Sequence, residues 1–164
     1  MSGKSKGGAF ERKIAKEIVK AFKPFGIKQQ ECWRSVGSGG HAMSAGDLQL
    51  SQRLAQLFPF CLEMKHRKKI RWFNFMLEKD NNEEKRWLIQ AKRGADKVKG
   101  MTPVLVMRAN NCPIFALVGE RSEVHDDGPE VWVDGDMWKL LPWRKFLRLA
   151  VELAKDLDTP KYRL

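Results

Sequence analysis

Apolar residues recur along this chain in two distinct periods, and together they outline an alternation of helices and strands. Phe10, Ile14, Ile18 and Phe22 mark one stripe of a helix over residues 8 to 23, with Arg12, Lys13, Lys16 and Lys20 on its other side. Pro24 and Gly26 end it. Phe60-Cys61-Leu62-Glu63-Met64-Lys65 alternates with period two, so Phe60, Leu62 and Met64 face a core while Cys61, Glu63 and Lys65 share the other face. Gly46-Asp47-Leu48-Gln49-Leu50 reads as a strand shortly before it, with Ser51 to Leu57 as a short connection or single helical turn between the two. Further on, Asn81 or Asn82 can cap a helix from about Glu83 to Lys99 whose apolar stripe is Trp87, Ala91, Ala95 and Val98. Pro103 to Met107 and Ile114 to Val118 are continuous apolar runs, as buried central strands are, joined by a turn at Asn110 to Pro113. Glu120 to Asp136 is acidic and turn-rich, with Val131-Trp132-Val133 as a possible short strand. Pro142 to Leu157 closes the chain as a helix whose apolar positions are too broad for one stripe, so either full burial or a second subunit could cover them. The fold class is therefore α/β.

Two of these elements carry charge where a strand should be apolar. If the Asp47 and Glu63 strands pair, Asp47, Glu63 and Lys65 converge at one point. Two carboxylates and an ammonium on a rigid sheet suit a hard divalent cation such as Mg²⁺, which takes one or two carboxylates and keeps several waters. Glu11 lies at the edge of the buried face of the first helix, where a bare charge is costly, so it needs a partner or serves as a first-turn dipole residue. Between them, Arg34-Ser35-Val36-Gly37-Ser38-Gly39-Gly40-His41 is a loop of small residues whose N–H groups can form an anion-binding concavity. After the Glu63 strand comes the basic run Lys65-His66-Arg67-Lys68-Lys69-Ile70-Arg71-Trp72, placed to touch a phosphate backbone, with His66 part of that surface and not a ligand. Gln90 could reach the same site from the later helix, although a surface glutamine is commoner.

Charge changes the picture from a generic α/β protein to one with an anionic partner. Lys and Arg total 31 against 20 Asp and Glu, a formal charge of +11 over 164 residues, and the basic residues are spread over several elements. That distribution favours nucleic acid over a membrane surface. The length suits a single domain at residues 9 to 164, preceded by a flexible basic arm at residues 1 to 8 that includes Lys6 and lacks a signal-peptide core. No apolar run approaches a membrane span. Cys32, Cys61 and Cys112 are odd in number and widely spaced, which argues against zinc or a disulfide framework. A cytoplasmic, reducing environment in a prokaryotic or viral setting is expected.

Lys6-Gly7-Gly8-Ala9-Phe10-Glu11-Arg12, Arg34-Ser35-Val36-Gly37-Ser38, Asp47 and Cys61-Leu62-Glu63-Met64-Lys65, in that order, resemble the PD-(D/E)XK nuclease fold. Within it they are similar to the archaeal-type Holliday-junction resolvases known as Hjc. The resemblance covers roughly the first 70 residues, with Pro103 to Arg108 similar to a later core strand. Gly46 stands where the superfamily often has Pro, and His41 to Ala45 lengthen the loop. The resemblance implies a restriction-endonuclease-like core, a central mixed β-sheet flanked by helices, in a homodimer. It also implies Mg²⁺-dependent cutting of four-way DNA junctions by paired symmetric nicks, with Mn²⁺ able to substitute. It assigns metal binding to Asp47, Glu63 and the Met64 carbonyl, with Glu11 as a third carboxylate, direct or through water. Lys65 would orient or help deprotonate the attacking water. Arg12, Arg34, Ser35 and Ser38 become candidates for DNA contact, joined by Lys6 of the arm and Arg67, Lys68 and Lys69 of the basic run. The competing readings are a related nuclease acting on flaps, nicks or duplex, and a DNA-structure-binding protein without chemistry.

Overall fold

The computed structural model describes residues 3–35, 46–75, 82–120, 122–124 and 127–158, with backbone alone at residues 3–6 and 73. Its elements are α1 (Gly3–Phe22), β1 (Cys32–Arg34), β2 (Leu48–Leu50), α2 (Gln52–Leu57), β3 (Phe60–Arg67), α3 (Glu83–Asp96), β4 (Thr102–Ala109), β5 (Ile114–Gly119), β6 (Glu130–Val133), β7 (Asp136–Pro142) and α4 (Trp143–Leu157). Five strands form one mixed sheet in the order β3-β4-β5-β7-β6. β3 and β4 are parallel, Glu63 opposite Leu105, and the other pairs are antiparallel. A parallel pair needs a crossover, and α3 supplies it.

Helices cover both faces, so the central strands are apolar on both sides. Phe60, Leu62, Met64, Val104 and Val106 pack with Ile14, Ile18 and Phe22 of α1 and Phe146 and Ala150 of α4 in one core. Leu105, Met107 and Leu117 face Trp87, Leu88 and Ala91 of α3 in a second. β1 and β2 stand apart as an antiparallel ribbon, with Trp33 opposite Gln49. A two-strand ribbon is marginal by itself; this one is anchored by buried Cys32 and Leu48, which join the first core.

Several details depart from the sequence expectation. The helix of α1 begins at Gly3, so regular backbone runs into the stretch expected as a flexible arm. β2 pairs with β1 and not with β3, and Asp47 precedes β2 instead of lying within it. β7 was not anticipated: in Asp136-Met137-Trp138-Lys139-Leu140-Leu141-Pro142 the apolar positions do not alternate, because both faces of this inner strand are covered. α4 starts at Trp143, with Pro142 at its N-cap. It buries Trp143, Phe146, Ala150 and Ala154 and leaves its flanks partly covered, so full burial within the chain does not hold.

Candidate functional site

β3 is an edge strand of the large sheet, and the site forms along its open side. In a strand the N–H and C=O of one residue point the same way, so Leu62 and Met64 offer their polar groups outward, where among the described residues no strand pairs with them. Asp47 takes that place. Its N–H donates to the Leu62 carbonyl at 2.8 Å, and its Oδ2 accepts the Met64 N–H at 2.6 Å. On its other side the Asp47 carbonyl accepts from Ser35 N–H at 2.9 Å, tying the β1–β2 ribbon to the sheet. The two acidic elements thus meet as expected, through one residue and not through a strand ladder.

Gly46 makes this approach possible. Its φ is +73°, and a Cβ there would lie 2.3 Å from the Leu62 carbonyl oxygen and 3.1 Å from Cys61 Sγ. Only glycine combines that backbone with that clearance. Gly94 of α3 lies against the same point, its own Cβ position 3.5 Å from Gly46 N and 3.4 Å from Cys61 Sγ. Sequence reasoning did not single out Gly94; its signal was a glycine in a helix interior, which usually has a packing reason.

On the α3 face of β3, Glu63 is 4% exposed. Lys65 Nζ lies 2.6 Å from Glu63 Oε1 and donates to Gln90 Oε1 of α3 at 3.0 Å. Gln90, left open by the sequence, is thereby a holder of Lys65. Burial pushes the Glu63 carboxyl up to about 7, and the nearby Asp47 charge adds to the rise against the opposing pull of Lys65. Asp47 is raised as well, first by burial and then by Glu11, with the Met64 N–H opposing. Among the described residues, two carboxylates that burial and mutual repulsion both disfavour are supported by Lys65, with Arg34 also favouring ionised Asp47, and the site stays short of positive charge.

That deficit, with the outward Met64 carbonyl beside it, fits a hard divalent cation bound by one or two carboxylates and waters. Glu11 is turned to Arg34, whose Nε donates to its Oε2, so the partner required by its burial is an arginine. Among the described residues no three His, Cys, Asp or Glu side chains gather closely enough to hold a metal together. Glu11 stands as a rim charge whose field reaches both Asp47 and Glu63.

The cationic candidates divide into open and engaged, with Arg34 both exposed and paired with Glu11. Arg12 and Arg34 converge on Gly8, where a Cβ would lie 3.0 Å from Arg34 Nη1 and 3.4 Å from Arg12 Nη1; both side chains are exposed. A shallow groove of about 440 Å³ continues along α1, lined by Ala9, Arg12, Lys13, Lys16, Glu17 and Lys20. Lys68 and Lys69 are exposed. Arg67 instead pairs with Glu83 at 3.2 Å and stacks 5.2 Å over Trp87. His66 is half-buried, its ring 5.5 Å from Phe10, so it leaves the basic surface to its neighbours. Ser35 sits at the ribbon's end, while Ser38 and the side chain of Lys6 lie outside the described residues. In the acidic turn beyond β6, Asp134 pairs with Lys85 at 3.0 Å and Asp136 with Lys92 at 2.6 Å, both lysines on α3.

A family profile described as "Phage putative PDDEXK endonuclease" matches residues 2–130, which spans α1 through the start of β6. No match was found among curated proteins or among solved structures. The mixed sheet with helices on both faces agrees with the PD-(D/E)XK core. At Gly46, where that superfamily often has Pro, a proline could not serve, because its ring fixes φ near −65°.

Proposed function

The chain belongs to the phage PDDEXK endonuclease family, and on that premise we propose that it is a structure-selective endonuclease that resolves four-way DNA junctions. The observation that carries the chemistry is buried Glu63 with half-buried Asp47 beside it, and Lys65 held between Glu63 and Gln90. Nucleases of this superfamily are typically dependent on a divalent metal, and Mg²⁺, with Mn²⁺ as a substitute, is the ion this oxygen-rich site suits. Bound by Asp47, Glu63 and the Met64 carbonyl, it would supply Lewis-acid polarisation of the scissile phosphate and of water.

The protein's own groups do the rest. Lys65 Nζ, fixed from two sides, orients the attacking water and offsets negative charge on the phosphate as it develops. Water attacks phosphorus in line, the bond to the 3′ oxygen breaks, and a 5′-phosphate and 3′-hydroxyl remain. Glu11 holds Arg34 at the rim, and Arg34 with Arg12 grips phosphates flanking the cut. Recognition rests on backbone and shape, since phosphate contacts position without reading sequence.

The junction reading draws on the resemblance of the Glu11, Arg34, Asp47 and Glu63 segments to junction resolvases. A four-way junction has two-fold symmetry, so an isologous homodimer would present two equivalent sites to opposed strands; the part-covered flanks of α4, with Leu149 and Leu153, support a protein contact there. The test is cleavage in Mg²⁺ of a four-way junction, a flap, a nicked duplex and a linear duplex. Paired symmetric nicks on the junction are expected. Ready cutting of linear duplex without them would replace the junction reading by that of a flap, nick or duplex nuclease. Cleavage of none, with junction binding retained, would leave a DNA-structure-binding protein.

A further inference from the structure

Large apolar side chains exposed among the described residues are Trp33, Ile89 and Trp132, at 44%, 41% and 61%. Trp132 is on β6, four strands from β3 and so about 19 Å across the sheet from the site at a strand spacing of about 4.8 Å. Ile89 has no flat face. Trp33 differs from both in place and in chemistry. It stands on β1 between Cys32, which is buried in the core, and Arg34, which holds Glu11. Two residues on, Ser35 is hydrogen-bonded to the backbone of Asp47.

Side chains alternate along the ribbon, so Trp33 and its cross-strand partner Gln49 share the outer face while Cys32 and Leu48 point inward. One strand repeat, about 7 Å, separates Trp33 from the level of Asp47. That is about two base steps of DNA rise. The indole is also fixed: Trp33 Nε1 donates to Gln49 Oε1 at 2.9 Å, and Gln49 Nε2 reaches toward Ser35 Oγ at 3.5 Å. Because its one polar group is already satisfied within the protein, the ring can be covered without stranding a donor. The result is a fixed, exposed aromatic surface one strand repeat from the level of Asp47, on the ribbon face opposite Arg34.

We propose that Trp33, tethered by Gln49, is a specificity-determining residue that stacks on a nucleobase or base-pair face left open at the branch of the bound DNA. Continuous duplex buries its base faces in the helical stack, whereas a branch point, flap or gap exposes them. Stacking on an aromatic side chain is tolerant of base identity, so this contact selects shape without reading sequence. The inference rests on the DNA-cleaving reading above and adds the element by which the site would tell branched from continuous DNA.

The test measures binding without divalent metal of the full chain and its Trp33→Ala, Trp33→Phe and Gln49→Ala variants. The DNAs are a four-way junction, a flapped duplex and a linear duplex of equal length, the first two carrying 2-aminopurine at the branch and the third at an internal position. Trp33→Ala should weaken junction and flap binding about 10-fold and linear-duplex binding less than about 2-fold. It should also abolish the 2-aminopurine quenching that wild type produces at the branch. Trp33→Phe, which keeps the flat ring, should restore most of both, and Gln49→Ala should fall between. Equal loss on all three DNAs, or unchanged quenching in Trp33→Ala, overturns the inference. So does a change of oligomeric state without a substrate-selective loss, which would assign Trp33 to a protein contact. If wild type cuts none of these DNAs in Mg²⁺, the nuclease reading fails. If it favours flap over junction, the junction reading alone fails. In either case the quenching at the branch still decides the stacking.

Discussion

Glu63 and Glu84 are equally buried, each 4% exposed, and they lie on β3 and on the helix packed against it. Their surroundings differ in kind. Glu84 accepts from the Arg71 N–H at 3.1 Å and from Asn74 Nδ2 at 2.9 Å, one donor on each oxygen, and so fastens the 3₁₀ turn at Trp72–Phe75 to α3. Glu63 meets one donor, Lys65, and faces a second carboxylate. The same contrast holds among the lysines: Lys85 and Lys92 are matched by Asp134 and Asp136, whereas no described acid pairs with Lys16 or Lys20 on α1. Glu84, Lys85 and Lys92 are answered within the chain. Glu63, with a single described donor and an unfavourable neighbour, and Lys16 and Lys20 are left wanting an outside partner, and such surroundings set apart a working carboxylate.

Exchanging the two glutamates gives the largest test of that contrast. Glu63→Ala should lower Mg²⁺-dependent cleavage about a thousand-fold while junction binding persists. Glu84→Ala should leave cleavage within a few-fold at low temperature and instead cost about 1–2 kcal/mol in denaturant unfolding, since it leaves two part-buried donors without their acceptor. Undiminished cutting by the first, or loss of activity without loss of stability in the second, breaks the distinction.

Gly46→Ala sharpens it, because the backbone that presents Asp47 has no room for a methyl. A displacement of the order of 1 Å can cost about 100-fold in rate, and that is the loss expected in single-turnover cleavage. Wild-type rates in this variant would remove the close approach to Leu62 from the site's requirements.

Burial of a carboxylate that meets a single described donor also has a pH signature. Because the folded Glu63 pKa is raised from 4.5 to about 7, the folded protein holds this proton more tightly than the unfolded chain. The stability it contributes is complete below about 4.5 and is lost as pH rises through about 7. Metal-free Glu63→Gln should therefore exceed wild type by about 3 kcal/mol at pH 8 and match it near pH 4. Divalent cation should restore wild type, with an affinity that climbs until pH passes about 7. A difference that grows toward acid would reverse the assignment.

The smallest effect expected is in salt dependence. Lys16→Gln with Lys20→Gln should flatten the log–log slope of DNA binding by about 1 to 2, at about 0.9 per phosphate contact. Lys85→Gln with Lys92→Gln should leave the slope unaltered, their charges being already matched.

Much of this was legible in the chain. The stripe Phe10-Ile14-Ile18-Phe22, the alternation across Phe60 to Lys65 and the apolar runs of β4 and β5 all lie where their periods place them. So does the need of Glu11 for a partner, met by Arg34. What escaped reading was set by tertiary neighbours. β7 has no alternation because both its faces are covered. Asp47 reaches β3 as a single residue, a contact that no periodic pattern encodes. Gln90 looks like any surface glutamine until α3 is laid across Lys65, and Gly94 looks like a weak point in a helix until Gly46 is seen against it.

Asp47 also does something for the sheet that has nothing to do with phosphate. By pairing with Leu62 and Met64 it occupies the open edge of β3, the row of hydrogen-bonding groups through which sheets of different molecules stick together. A substitution such as Asp47→Ala is expected to silence the enzyme and to free the Met64 N–H on that edge, while the backbone bond to Leu62 remains. Inactive protein for crystallisation or long binding experiments is better made at Glu63, where the edge stays capped and the chain is expected to remain monodisperse.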